Sequence, residues 1–253
     1  MKFSIITPVH KYHEYLLELY DSIKAQTYSN WEWVLYLNGD CKIDMLPEKI
    51  RTNNKVKIYT DYSEDGKMEI DGKKVGIVGY YKNKAFFKGT GDVLCYDDNF
   101  IPFNSEHGWS YYKYNFRDKD YTVMESWKPT SHSLAFIWYA PDHIRSWRKE
   151  VYKEVGGHDV TLNICDDHDL MIRTYLKTKM FHIEKPLYIY RIHGDNTWLE
   201  RQDAIQLKTV EIYHDYGYEL AEKDADDKGL LKVDLGGGLN PRPGYTTIDQ
   251  TNA

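Results

Sequence analysis

The feature that most constrains the fold of this chain is an alternation of apolar runs with helical patterns along its N-terminal part. Runs of β-branched, aromatic and other apolar residues, typical of buried strands, occupy residues 3–9, 31–40, 56–61 and 92–99. Between them, helical patterns occupy residues 12–26, 47–53 and 80–91. Because strand–helix alternation favours parallel strands covered by helices, the sequence predicts an α/β fold with a mostly parallel sheet.

The remainder of the chain has a less regular pattern. Residues 68–76 are predicted to form a small hairpin, and the stretch around Pro129 suggests two strands. Helical patterns cover 142–155, 165–177 and 198–224, and a strand-like run covers 181–194. In the tail, a short strand leads into three consecutive glycines, and a second strand ends at Asp249.

Composition narrows the classes of partner and compartment. The formal net charge of −6 argues against a nucleic-acid partner, because phosphate backbones recruit basic surfaces. Cys41, Cys95 and Cys165 are far apart, so a zinc site or disulfide framework is not expected. The N-terminus has no signal-peptide pattern, and no apolar run approaches the roughly 18 residues of a membrane span. The expected location is therefore cytoplasmic, without a membrane span.

An acidic cluster, Asp97-Asp98-Asn99, follows the strand predicted at 92–99. In open α/β sheets, ligands bind beyond the carboxyl ends of the strands. Adjacent carboxylates repel one another, and a divalent cation bridging to a diphosphate would neutralise them. The alternative is a solvated acidic turn, which is the commoner fate of such a sequence.

Two further clusters contain residue types that can take part in catalysis or binding. Asp166, Asp167 and Asp169 open a predicted helix, where a carboxylate could act as a general base or simply favour the helix start. Arg191 and His193 alternate on one face of a predicted strand. They could bind phosphate and metal, or they could be surface cations.

The order and spacing of these clusters resembles family 2 glycosyltransferases over residues 1–200. Five segments carry the resemblance, and an ordered set is far more specific than any one of them. They are SIITPVH, QTYSNWEWVL, the KNKAFFKGTGDVLCYDDN stretch, GGHD followed by DDHDL and Arg173, and YRIHGDN.

The resemblance implies a GT-A fold, which is Rossmann-like, with a single nucleotide-binding domain. It implies transfer of a sugar from a nucleotide-diphosphate donor, expected to be a UDP-sugar, to a glycan or other hydroxyl acceptor. The donor-binding residues that it implies are Thr7, Pro8, Val9, His10, Asn38, Asp40, Lys82, Asn83, Asp97, Asp98 and Arg191. The implied mechanism inverts the anomeric carbon, with Asp167 as the base beside Asp166.

The resemblance also implies a divalent metal, Mn²⁺ or Mg²⁺, held by Asp97, Asn99 and His193. The chain departs from the family at Asn99, where an amide stands in place of the second carboxylate of the metal motif. It departs again at 37–40, where Leu-Asn-Gly-Asp replaces Asp-Asp-Gly-Ser. Trp147 and Trp198 are candidates for stacking on the acceptor sugar, with core packing as the alternative.

The tail resembles the start of an S-adenosylmethionine-dependent methyltransferase. KVDLGGGLNPRPGYTTID contains the strand, glycine loop and second strand ending in an acidic residue that this resemblance requires. The predicted organisation is a transferase domain at 1–200, a helical extension at 201–228 and a truncated methyltransferase-like beginning at 229–253. The alternative is a glycine-rich strand that packs on the transferase.

Two other functions remain open from the sequence. A degenerate transferase fold could bind nucleotide or glycan with little turnover, and the imperfect metal motif favours this alternative. A nucleotidyltransferase would need a loop rich in glycine and basic residues after the first strand, and TPVHKYHEY lacks one.

Overall fold

A computed structural model describes most of the chain. The described residues are 1–63, 69–70, 73–74, 76–96, 111–116, 119–124, 127–136, 143–185, 187–189, 201–238, 240 and 242–248. Within this part of the chain, no helix is both long and apolar enough to cross a membrane.

The core of the fold is a five-stranded sheet in the order β3-β2-β1-β6-β9. Its strands are β1 (Phe3–Val9), β2 (Trp31–Leu37), β3 (Val56–Thr60), β6 (Val93–Tyr96) and β9 (Arg145–Arg148). The first four are parallel, and β9 pairs antiparallel with β6. This arrangement confirms the predicted mostly parallel sheet.

Helices cover both faces of the sheet. They are α1 (Tyr15–Lys24), α2 (Glu48–Arg51), α3 (Ile77–Lys88), α4 (Ser131–Phe136), α5 (Lys149–Glu154), α6 (Asp166–Lys177) and α7 (Gln202–Lys228). Leu16, Leu19 and Ile23 of α1 pack in one apolar cluster with Trp33 and Leu35 of β2. A second cluster joins β6 to residues of α3, α5, α6 and α7. Each cluster follows from the alternation of side chains across a strand.

Three pairs of strands lie outside the main sheet in the described residues, and two of them come before the tail. β4 (Glu69–Ile70) and β5 (Lys73–Lys74) form the predicted small antiparallel hairpin. β7 (Tyr111–Phe116) pairs antiparallel with β8 (Lys119–Met124).

Three predicted elements are wrong in the described residues. The helix predicted at 142–155 is instead β9 followed by the short α5. Arg145 and Trp147 alternate inward along β9, and pairing with the edge of β6 outweighs the helical pattern. After Pro129 the chain forms α4 and not a strand, and the described residues of 181–189 contain no strand.

The tail folds into a parallel pair of strands, β10 (Val233–Leu235) and β11 (Thr246–Ile248). Tyr245, directly before β11, contacts α7, where its hydroxyl lies 2.5 Å from that of Tyr218. Tyr245 Oη also donates to Glu222 at 2.9 Å. Asp249 lies outside the described residues, and the methyltransferase-like interpretation stays a prediction, as do the domain boundaries.

A buried carboxylate, that of Glu32, lies near the amino ends of β1 and β2. Glu32 on β2 accepts hydrogen bonds from Ser4 Oγ at 2.6 Å, Lys2 Nζ at 2.6 Å and Thr90 Oγ1 at 2.8 Å. Burial alone would raise the pKa of Glu32, but these hydrogen bonds outweigh it and lower the pKa to about 2. The cluster therefore links β1, β2 and the segment before β6 through a charged group.

We expect Glu32→Gln to lose about 3 kcal/mol of unfolding free energy at neutral pH, because the hydrogen bonds that lower the pKa of Glu32 to about 2 stabilise its charged form. The folded pKa is depressed, so this stabilisation is present above the unfolded pKa of about 4.3 and disappears as pH falls towards the folded value. Urea unfolding across this pH range measures the effect. Asp21→Asn, in an exposed ion pair with Lys49, is the matched control. Equal losses in the two variants would contradict the prediction.

Candidate functional site

The order of the strands locates the candidate site. The chain runs from β1 outward to β2 and β3, then returns to the opposite side of β1 to form β6. Such a reversal creates a crevice at the carboxyl ends of the two strands that flank it. β1 ends at Val9 and β6 ends at Tyr96, directly before the acidic cluster. Asp97, Asp98, Asn99, Arg191, His193 and Trp198 lie outside the described residues.

The turn that follows β2 is held against the end of β1. His10 Nδ1 lies 2.8 Å from Asn38 Oδ1, and the backbone N–H groups of Asp40 and Cys41 donate to the His10 carbonyl. Gly39 has a φ of +54°, and a Cβ there would lie 2.2 Å from the His10 ring. The sequence therefore needs glycine at this position to bring His10, Asn38 and the exposed Asp40 together at the crevice.

The other predicted residues of β1 divide into two groups. Thr7 is buried, and its Oγ1 accepts a hydrogen bond from Trp33 Nε1 at 2.9 Å. The Thr7 side chain therefore packs and hydrogen-bonds within the core. Any contact of Thr7 with a sugar donor would come from its backbone. Pro8 is partly exposed near the end of the strand, next to the buried Val9.

Asp61 directly follows β3 and lies at the same edge of the sheet. It was not among the site residues predicted from the sequence. Asp61 Oδ2 accepts from Lys84 Nζ at 2.8 Å and from Tyr36 Oη at 3.2 Å. Burial alone would raise the pKa of Asp61, but the hydrogen bonds from Lys84 and Ser63 lower it to about 2. The ion pair connects the end of β3 to α3.

The second acidic cluster lies at the start of α6. Cys165, directly before the helix, has a left-handed φ of 58°, which turns the chain into Asp166. Asp166 is buried and lies 3.1 Å from Lys82 Nζ. The structure therefore brings together two residues that the sequence assigned to separate motifs. Lys82 Nζ also lies 4.7 Å from the centre of the Tyr96 ring, at the end of β6.

Asp167 is the candidate base, and it is paired with a cation. Its Oδ2 contacts an Nη of Arg145, its Oδ1 accepts from the His168 backbone N–H at 2.9 Å, and its side chain is 25% exposed. Burial alone would raise the pKa of Asp167, but the charges of Arg145 and Lys82 hold it below its usual range. The carboxylate is therefore ionised at neutral pH and partly exposed to solvent.

Arg145 is a second site residue, besides Asp61, that the sequence did not predict. It is buried on β9, directly opposite Tyr96 of β6, and its charge faces Asp167. A buried arginine is rare unless it is paired. The available signal was the alternation in Arg-Ser-Trp-Arg, which the helical interpretation of 142–155 obscured.

Asn83, predicted to bind the sugar donor, has its side-chain amide in a contact within the protein. Its Nδ2 donates to the His158 carbonyl at 2.8 Å. Gly79, one turn earlier on α3, donates its N–H to the Leu162 carbonyl at 2.9 Å, and a Cβ there would lie 1.9 Å from the Asp159 carbonyl oxygen. These contacts hold the loop before α6 against α3. They therefore fix the position of Asp166 and Asp167 at the start of α6.

The position of Trp147 contradicts the prediction that its ring stacks on the acceptor sugar. Its ring is buried in the apolar cluster that contains Phe86 and Tyr152, and its Nε1 donates to Thr174 Oγ1 at 3.0 Å. A ring enclosed in this way has no face for a sugar. Trp147 therefore packs in the core, the alternative weighed from the sequence.

The described residues contain no group of three or more acidic, histidine or cysteine side chains arranged to hold a metal ion. The residues predicted to hold one, Asp97, Asn99 and His193, lie outside the described part. The metal therefore stays a prediction.

Comparison with known proteins shows similarity at low identity. No family model matches the chain. O-antigen biosynthesis protein RfbC from Myxococcus xanthus is 25% identical over 210 residues, which cover 73% of this chain. The chain spans only 15% of the length of that relative.

Solved structures of S. aureus TarS share the fold. A crystal structure of TarS matches with a TM-score of 0.50 at 17% identity, covering 82% of this chain and 39% of TarS. TarS 1–349 in complex with UDP matches with a TM-score of 0.52 at 14% identity, covering 91% of this chain and 75% of that one. The GT-A α/β fold predicted from the sequence is therefore confirmed.

Proposed function

We propose that this chain is a glycosyltransferase that moves a sugar from a nucleotide-diphosphate donor, a UDP-sugar, to a hydroxyl acceptor. The observation that carries this proposal is Asp167, an ionised and partly exposed carboxylate at the crevice where Asp97-Asp98-Asn99 follow β6. Two similarities add support. TarS, which shares the fold, has been crystallised with UDP, and the curated relative is named as an O-antigen biosynthesis protein.

The proposed reaction is a direct displacement with inversion. Asp167 accepts the proton of the acceptor hydroxyl, and that oxygen forms a bond to the anomeric carbon of the donor. The bond from the anomeric carbon to the phosphate oxygen breaks, and its electron pair leaves with the nucleoside diphosphate. Lys82 and Arg145 place two positive charges beside the end of β6, where they favour the anionic leaving group.

Asp97 and Asn99, with His193, would hold a divalent metal, Mn²⁺ or Mg²⁺, and a bound metal supplies charge neutralisation for the diphosphate. Asp98 and Arg191 are proposed to contact the donor, together with His10, Asn38 and Asp40 at the end of β1 and β2. Carboxylate and amide oxygens are suitable ligands for such ions.

A panel of UDP-, GDP- and dTDP-sugars, assayed with Mn²⁺ or Mg²⁺ and again with EDTA, tests the proposal. We expect release of UDP from at least one UDP-sugar and loss of this activity in EDTA. Absence of cleavage for every donor, together with no nucleotide binding by calorimetry, would contradict the proposal.

The second candidate is a nucleotide-binding protein of the same fold with little turnover. The contact of Arg145 with Asp167 favours it, because an arginine on the carboxylate lowers the basicity of that group. Asn99 in place of the second carboxylate of the metal motif points the same way. Nucleotide binding without donor cleavage would identify this alternative.

A further inference from the structure

Helix α7 packs beside the helix that carries the candidate base. Ile205, Ile212 and Leu220 of α7 recur at helical spacing and are buried in one apolar cluster with Leu170 of α6. The sequence assigned residues 201–228 to an extension outside the transferase domain. Their buried face belongs to the same core as α6, so the polar contacts between the two helices bear on the position of the base.

The hydroxyl of Tyr216 makes the first polar contact between α7 and α6. Tyr216 Oη donates to Asp169 Oδ1 at 2.8 Å. Burial and the negative charge of Asp169 raise the pKa of Tyr216, so the hydroxyl keeps its proton and acts as the donor. The other carboxylate oxygen, Asp169 Oδ2, accepts from Arg173 Nε at 3.0 Å. Both oxygens of this buried carboxylate therefore have a donor, and one of the donors comes from α7.

The second polar contact holds the residue directly before α6. Burial and the charge of Asp167 raise the pKa of the Cys165 thiol to about 12, so the thiol is protonated and can donate. Cys165 Sγ lies 3.6 Å from the carbonyl oxygen of Ile205 and 3.9 Å from Thr209 Oγ1, both on α7. Because a thiol is a weak donor, this contact contributes less than the hydrogen bond from Tyr216.

These two contacts lie on either side of the candidate base. Asp167 is two residues after Cys165 and two residues before Asp169. Because a helix rises about 1.5 Å per residue, each contact lies about 3 Å from Asp167 along the helix axis. A base must lie within hydrogen-bonding distance of the proton that it accepts, and a misplacement of about 1 Å can cost about 10²-fold in rate. Contacts that fix the start of α6 therefore bear directly on the rate.

We propose that Tyr216 is a positioning residue for the candidate base: by donating to Asp169 it fixes the first turn of α6 and holds Asp167 where the acceptor hydroxyl reaches it. The inference rests on the proposed function. Tyr216 contacts no substrate in this scheme, and its effect on the reaction passes through Asp169 and Asp167. Helix α7 then contributes to catalysis through the face that packs against α6.

Steady-state kinetics of Tyr216→Phe, with calorimetric titration of UDP at constant metal, test the proposal. The substitution keeps the ring and removes only the hydroxyl, and Arg173 still holds Asp169, so the protein should fold with a melting temperature only a few degrees lower. We expect kcat to fall by roughly tenfold, because the start of α6 is less firmly held. UDP affinity and the KM for the donor should stay within about twofold of wild type, because the lost contact acts only on the transition state.

Tyr218→Phe is the matched control on the same helix. The Tyr218 hydroxyl lies 3.0 Å from Glu222 Oε1, so this change also removes a tyrosine hydroxyl from a carboxylate. That carboxylate lies on α7 itself and contacts Tyr245 of the tail. We expect kcat of this variant to stay within about twofold of wild type.

A double variant separates positioning of the base from a general effect on the fold. When Tyr216→Phe is added to Asp167→Asn, the residual turnover should stay the same, because no base is left to position. Wild-type kcat in Tyr216→Phe would overturn the inference. So would a further tenfold loss in the double variant, or a loss of UDP affinity equal to the loss of kcat. Failure of the wild-type protein to cleave any donor, or wild-type turnover in Asp167→Asn, would instead count against the proposed function.

Discussion

Asp167→Asn is expected to reduce turnover of the preferred donor by about 10²–10⁴-fold, the usual contribution of a positioned base. The amide has nearly the shape of the carboxylate and still accepts a hydrogen bond from Arg145, but it does not take up the acceptor proton. Affinity for UDP should be equal to that of wild type or higher, since a negative charge is removed near the diphosphate. Steady-state kinetics and calorimetry measure the two quantities separately.

Asp203→Asn provides the matched control for this substitution. Asp203 is an exposed aspartate in the first turn of α7, so the change removes a carboxylate from the start of a helix, as Asp167→Asn does in α6. We expect its turnover to stay within about twofold of wild type. Wild-type turnover in Asp167→Asn would exclude Asp167 as the base and would favour the low-turnover binding alternative if UDP still bound.

Lys82→Met is expected to lower the unfolding free energy by about 3 kcal/mol, because it removes a cation that lies 3.1 Å from the buried carboxylate of Asp166. This is the lower end of the usual cost, since His158 Nε2 lies 3.7 Å from the same carboxylate. For a domain of this size, the melting temperature should fall by roughly 6–12 °C. The same variant should also bind UDP more weakly.

Two further variants test whether the loss of stability comes from breaking the buried Lys82–Asp166 pair or from the loss of any lysine. Lys49→Met breaks the exposed pair with Asp21 and should cost at most about 1 kcal/mol. Lys82→Met combined with Asp166→Asn removes both charges and should regain much of the lost stability without regaining UDP affinity. A Lys82→Met protein as stable as Lys49→Met would show that Asp166 does not depend on this cation.

The central sheet and the helix carrying Asp167 could be predicted from the sequence for a physical reason. Buried parallel strands are apolar along most of their length, and β2 is buried at every position from Trp31 to Leu37, with Glu32 as its one charged residue. Helix α6 combines apolar residues at helical spacing with acidic residues in its first turn. Both signals are local, and in these two segments the tertiary contacts agree with them.

The partners within the site could not be predicted, because they depend on tertiary contacts. Lys82 and Asp166 are separated by 84 residues, and no local pattern encodes their meeting. Arg145 was missed for a different reason. Its segment has an amphipathic helical pattern as well as alternation, and pairing with β6 decides between them.

Hydrogen exchange with and without UDP, followed by mass spectrometry, tests most directly whether the crevice at the carboxyl ends of β1, β2 and β6 is a nucleotide-sugar site. We expect UDP with Mn²⁺ to slow amide exchange in peptides that cover 7–11, 38–41 and 165–169, because these segments line that edge. Peptides from the middle of α7 should be unaffected. Unchanged exchange in all three segments under saturating UDP, or slowing confined to α7 and the tail, would contradict the assignment of the site.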